Sequence, residues 1–320
     1  MNTELEQSTN QFIEYKNALG KKLAFEYDFN LCISSLLCIR FQKTMEPLKV
    51  IECKRMIKKN TNIMSNYRGI IGLHCTTLLS FYEKPEELLK KAITSNKYLR
   101  KNGFKNSNYL SYSLLQKGKN LMDLEDESLK EKVLNYYQEI KKLKLPMNAI
   151  DYGFLSIITT KDENNTQLVN KIESLYRLAK NKGIDKLNCS LLAKILCLTD
   201  SDEETLINDT YTLYDKLKAH KIKLSDYFSG THLGILTLLS NDFDETIKNL
   251  LEVNQFLRQN KGFSNIMSDK GQRMLYSVLL VCMDLSNKRK DMNSHEKQQL
   301  LDIAFATAVS TGAGILSNFE

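Results

Sequence analysis

The sequence predicts an all-α protein: a right-handed stack of antiparallel helix hairpins (an alpha-solenoid) with a period of about 38–41 residues. Three observations predict it. Only 13 Gly and 3 Pro stand in 320 residues, too few chain breakers for a turn-rich sandwich or barrel. A short junction recurs, as Asn102-Gly103-Phe104, Leu143-Lys144-Leu145, Lys182-Gly183-Ile184, His220-Lys221-Ile222 and Lys261-Gly262-Phe263, with its closing apolar residues 41, 39, 38 and 41 positions apart. Each junction follows a charged amphipathic segment and leads toward a shorter, more apolar one.

The elements follow in order. A long helix near Thr3–Phe25, an apolar one at Asn30–Phe41 and a third at Pro47–Lys58, with Pro in its first turn, form the front. Gly69–Tyr82 is the first apolar inner helix. The amphipathic helices are Glu86–Lys101, Ser128–Lys142, Thr166–Lys182, Glu203–Ala219 and Asp244–Gln259, each with apolar residues at three- and four-residue steps. Inner helices alternate with them at Tyr109–Leu115, Tyr152–Ile158, Leu187–Leu198 and His232–Leu239. Gly at three junctions suits a left-handed C-terminal cap, and Lys in the last turn suits the helix dipole. Acidic links such as Asp200-Ser201-Asp202-Glu203-Glu204 and Asp242-Phe243-Asp244-Glu245 read as N-caps. They lack the ligand spacing and closing Glu of an EF-hand loop.

A single hairpin cannot cover its inner helix, so neighbours must stack. Residues 1–65 then form N-terminal capping helices, 66–263 five hairpin repeats and 264–320 C-terminal capping helices, in one continuous domain of about fourteen helices. The last two helices are expected at Asp269–Asp284 and Ser294–Leu316. Ala304, Ala306, Ala308, Gly312, Ala313 and Gly314 give the final helix a small-residue face, expected to tuck against the preceding pair.

Apolar residues at 42% and charged residues at 26% describe a globular chain. The net charge of +7 is uneven: residues 1–60 carry +3, residues 61–145 carry +6, and 146–222 and 223–320 carry −1 each. No apolar run is long enough to cross a membrane, and the acidic start around Glu4, Glu6 and Glu14 is unlike a secretory signal. The seven Cys are an odd number, form no CxxC and sit in apolar runs, which suits buried thiols in a reducing cytoplasm.

Three stretches carry a family likeness. Ser65-Asn66-Tyr67-Arg68-Gly69 enters an apolar helix. Tyr98-Leu99-Arg100-Lys101-Asn102-Gly103-Phe104 ends an amphipathic one. Ala306 to Phe319 forms a small-residue tail. On these stretches the chain resembles the bacterial family catalogued as domain of unknown function 4003, found mostly in low-GC Gram-positive organisms. That resemblance implies no activity, cofactor or site residue. In architecture alone the chain is similar to tetratricopeptide-like arrays, although its period is longer and it has no Trp.

No zinc spacing, phosphate-binding glycine loop or G-x-S-x-G motif occurs, so no metal, cofactor or catalytic residue is expected and the chain does not read as an enzyme. The expected function is binding of a protein or peptide in a concave groove. Polar and aromatic residues on the inner helices are the candidates for its lining: Arg68, His74, Tyr112, Tyr152, Lys194 and His232. Arg68 stands out, because a cation at a helix N-terminus opposes the dipole. It should reach an acidic link, or else receive a carboxylate. A second reading is nucleic-acid binding through residues 84–105. There Lys90, Lys91, Lys97, Arg100, Lys101 and Lys105 interleave with Tyr82, Tyr98, Phe104 and Tyr109. A third is an enzyme with a helical pocket, and a receptor for small peptides is a special form of the first.

Overall fold

The computed structural model describes residues 1–118, 127–145, 165–225, 227–264 and 270–316. Among these residues the chain is all-α, with fourteen helices and no strand. The helices are α1 (Thr3–Lys22), α2 (Asp28–Arg40), α3 (Pro47–Asn60), α4 (Gly72–Ser80), α5 (Pro85–Lys101), α6 (Asn108–Gln116) and α7 (Glu127–Lys142). They continue as α8 (Asn165–Asn181), α9 (Lys186–Leu196), α10 (Glu203–Ala219), α11 (Gly230–Leu239), α12 (Phe243–Gln259), α13 (Lys270–Lys288) and α14 (Ser294–Leu316). The inner helix expected at 152–158, with Tyr152, lies outside the described residues.

The two kinds of helix differ in what they bury. In α10 a single stripe is buried, namely Leu206, Ile207, Thr210, Leu213 and Leu217. In α11 every residue from Gly230 to Leu239 is buried, and in α4 every residue from Leu73 to Ser80. Helices apolar on all sides sit between neighbours, whereas an amphipathic helix keeps one wet face. Each fully buried Leu or Ile contributes about 1.5–3 kcal/mol of transfer free energy.

All five junctions are left-handed at their central residue. The φ values are 98° at Gly103, 51° at Lys144, 89° at Gly183, 60° at Lys221 and 92° at Gly262. At two of them the closing residue completes the cap: Phe104 N–H donates to the Leu99 carbonyl (3.1 Å) and Ile222 N–H to that of Leu217 (2.9 Å). Lys144 and Lys221 therefore do the work of glycine at a steric cost. At the other helix ends, Asp202 accepts from Thr205 N–H (2.9 Å), Asp242 from Asp244 and Glu245, and Ser107 from Leu110 (3.2 Å). The link before α5 departs from this pattern: Lys84 offers no side-chain cap, and Pro85 occupies the first turn.

Two compact units divide the described residues. One takes them from Met1–Thr9, Asn135–Asp151 and Thr160–Ala304. Here α8 packs on α9, α10 on α11 and α12 on α13. Alternate helices also touch, α8 with α10, α10 with α12, α9 with α11 and α11 with α13. In this unit the Asn2 side chain donates to Asp284 (3.2 Å), so the first residues of the chain meet α13.

The other unit takes its described residues from Asn10–Leu134 and Phe305–Glu320. Here α3 packs on α4 and α5 on α6, while α2 touches α4, α4 touches α6 and α3 touches α5. The last part of the final helix belongs to this unit. A Cβ at Gly312 would collide with the Phe29 ring of α2, and Tyr109 of α6 donates to the Ser310 carbonyl (2.7 Å). Within this unit, residues 310 and 312 of the small-residue face thus make close contact with α6 and α2.

Candidate functional site

Four of the six residues expected to line a groove are closed off from solvent. His74, Tyr112, Lys194 and His232 are each 1% exposed or less. His74 faces the Ser34 hydroxyl across 3.3 Å, and burial lowers its pKa to about 3. His232 accepts from Ser229 N–H at 3.4 Å, and burial lowers its pKa to about 4. Both imidazoles are therefore neutral core side chains at pH 7. The reason is the all-round burial of the inner helices: a polar residue on such a helix faces another helix and does not face a groove.

Arg68 is half-buried and has a different partner from either one expected. Its guanidinium donates to the carbonyls of Lys58 and Thr61, and its Nε to Thr61 Oγ1 (2.9 Å). Those carbonyls close the C-terminal end of α3, where a cation is favoured by the helix dipole. Arg68 thereby fastens the segment 61–68 to the end of α3.

That fastened segment is one wall of a cavity of about 410 Å³. The opposite wall is one face of α5, with Ile93, Asn96, Lys97 and Arg100 at helical spacing. Asn106 and Ser111, from the α5–α6 connection and from α6, complete it. The volume falls within the range of about 300–1,000 Å³ usual for ligand pockets. Five carboxamides line it, from Asn60, Asn62, Asn66, Asn96 and Asn106. Asn66 donates to Asn106 across the mouth (2.8 Å), and buried Asn96 donates to Ser111 Oγ (3.2 Å).

The charged residues that line the cavity are cations, and the Glu86 carboxylate, paired with Lys90, reaches the lining residue Asn60. None of the described residues that line it is acidic. Lys97 and Arg100 are exposed and make no ion pair among the described residues. Tyr67, which also lines the cavity, is 4% exposed, and its hydroxyl has no hydrogen-bond partner. Burial raises the phenol's pKa well above its usual range. Ser111 stands near enough to temper that rise, although no bond of ordinary geometry joins the two. A buried hydroxyl without a partner carries a desolvation cost of about 1–3 kcal/mol. Met64, strongly exposed, adds apolar surface to the lining.

The basic residues of the second reading divide. Lys97 and Arg100 face the cavity, whereas Lys90 pairs with Glu86 (3.0 Å). Lys91, Lys101 and Lys105 are exposed. Of the four aromatic residues in that reading, Phe104 is buried and the Tyr109 hydroxyl donates to the Ser310 carbonyl, while Tyr82 and Tyr98 are half-buried.

Sequence reasoning misses Tyr67, Asn96, Ser111 and the asparagines. One signal is present. Asn96 falls on the buried face of α5, among Leu89, Ala92 and Leu99, where an apolar residue belongs.

No curated protein and no solved structure matches the chain. A family model described as "Protein of unknown function (DUF4003)" matches residues 14–311. Two of the stretches that carry the family likeness, 65–69 and 98–104, contribute Ser65, Asn66, Tyr67 and Arg100 to the cavity. With nearly its whole length matched, the chain belongs to the DUF4003 family.

Proposed function

We propose that this is a non-catalytic helical-repeat protein of the cytoplasm that binds an extended peptide or a peptide segment of a partner protein. The architecture behind this reading is a right-handed solenoid of hairpins over 66–263, flanked by 1–65 and 264–320. Within each unit, contacts between alternate helices and between consecutive ones support it. So do the five left-handed junctions. Hydrogen bonds one period apart fit the same reading: Ser34 with His74 at 40 residues, Asn66 with Asn106 at 40, and Asn188 with Gly230 at 42.

The observation that carries the function is the carboxamide-lined cavity between residues 60–67 and α5. A carboxamide offers one acceptor and two donors, which match the peptide group of an extended chain. Such contacts hold a backbone without regard to side chains and need no reacting group. A library of octapeptides screened by affinity selection and mass spectrometry tests the reading. Binding weakened about tenfold by Asn96→Leu, at the level of a buried hydrogen-bonding pair removed, supports it. Binders indifferent to Asn96→Leu and Asn106→Ala would refute it.

A further inference from the structure

We infer that the cavity is an anchor for a carboxylate of the bound peptide, taken by Arg100 and Lys97 at the mouth and by the Tyr67 hydroxyl within. This rests on the peptide reading above and specifies its chemistry. Lys97 and Arg100 stand three residues apart on one face of α5, so both point toward one occupant. They lack ion-pair partners among the described residues, and none of the described lining residues is acidic. An anion entering the cavity therefore displaces no salt bridge of Lys97 or Arg100, and Glu86, whose carboxylate reaches the lining residue Asn60, is already paired with Lys90. A planar guanidinium presents two parallel N–H donors, which suit the edge of a carboxylate.

Tyr67 supplies the independent observation. It is nine-tenths buried, its hydroxyl lacks a partner, and it lines the same cavity. A phenol is neutral and a hydrogen-bond donor at pH 7, and a carboxylate oxygen is an acceptor without a proton of its own. Ser111 bonds to Asn96 and to the Ser107 carbonyl. The cavity thus holds one uncommitted donor inside and two cations outside, with carboxamides between them for the peptide groups. The peptide reading brings a carboxylate at the end of every chain and a second source in Asp and Glu side chains. Exposed Met64 gives the adjoining residue an apolar surface to rest on.

The experiment uses the full chain and octapeptides selected with free C-termini. Each binder is remade as its C-terminal amide and, separately, with Asp and Glu changed to Asn and Gln. Loss of about tenfold or more in affinity is expected from one of the two changes, the size of a lost charge-assisted bond. Loss on amidation identifies the chain terminus as the source, and loss on the side-chain change identifies Asp or Glu. Arg100→Gln should weaken the same binder about tenfold and Tyr67→Phe about fivefold, while Lys101→Gln, outside the cavity, should leave it unchanged. Affinity that survives removal of every carboxylate, or is indifferent to Arg100→Gln, overturns the carboxylate anchor and leaves peptide binding standing. No octapeptide bound by the wild-type chain overturns both. Circular dichroism and melting temperature of each variant separate lost binding from lost folding.

Discussion

Gly230→Ala is expected to destabilise the protein by about 2 kcal/mol, and the structure supplies each contribution. Gly230 opens α11 directly over the first turn of α9, and its N–H donates to Asn188 Oδ1 (2.5 Å). A Cβ there would stand well inside contact distance of the Asn188 carbonyl oxygen and 3.1 Å from its carbonyl carbon and Cα. Those are backbone atoms, so no rotamer change relieves the overlap. Overpacking of this kind costs about 1–3 kcal/mol. Separation of α9 from α11 also strains the Asn188 bond, worth about 1 kcal/mol. Against this, alanine gains up to about 1 kcal/mol over glycine in helix propensity. The net loss corresponds to a fall of roughly 4–8 °C in melting temperature for a domain of 150–250 residues. Calorimetry or urea titration reads it. Gly69→Ala is the control, since nothing lies within 4 Å of its Cβ position and its φ is outside the left-handed region. A Gly230→Ala variant as stable as wild type would refute the close approach of α9 and α11, and with it the packing that buries the inner helices.

Three further outcomes follow from particular residues. Lys221→Gly should stabilise by about 0.5–1 kcal/mol, because it removes a left-handed penalty of about 1–2 kcal/mol at φ 60° and returns part of it as unfolded-chain entropy. A lower melting temperature would show that the Lys side chain has a role beyond the turn. Stability should fall on acidification. The folded-state pKa values of His74 and His232, about 3 and 4, lie below the ordinary 6.5, so the unfolded chain binds more protons in between. Each buried imidazole then removes on the order of 2 kcal/mol by pH 5. Equal melting temperatures at pH 7 and pH 5 would contradict their burial. All seven Cys are buried as free thiols, and burial pushes Cys38 up to about 12 and Cys53 and Cys189 to about 11. An aromatic disulfide reagent should therefore label the native protein slowly and all seven positions after denaturation; rapid native labelling would count against the packing.

What can be read from the sequence is local. The amphipathic helices α5, α7, α8, α10 and α12 begin and end within about a residue of their expected limits, because periodicity, acidic starts and junction residues act within one turn of the chain. The junctions go further than composition suggests, since Lys144 and Lys221 adopt the geometry expected of glycine. Non-local features escape this reading. Polarity on an apolar helix suggests a ligand, which assigns His74, Tyr112, Lys194 and His232 to a groove. Helices covered on all sides leave no such face, and His74 is answered by Ser34, 40 residues away. The cavity is invisible for a related reason. Its walls come from a loop and two helices that periodicity treats separately, and Arg68 shapes it through carbonyls of α3. The contact of Ser310 with Tyr109 spans 201 residues, beyond any pattern in the chain.

Hydrogen exchange read by mass spectrometry, on the full chain with and without a selected octapeptide, tests the recognition site most directly. Slowed exchange concentrated in residues 60–67 and 93–111 is the expected result. Protection confined to α9 and α11, with those two segments unchanged, would contradict it.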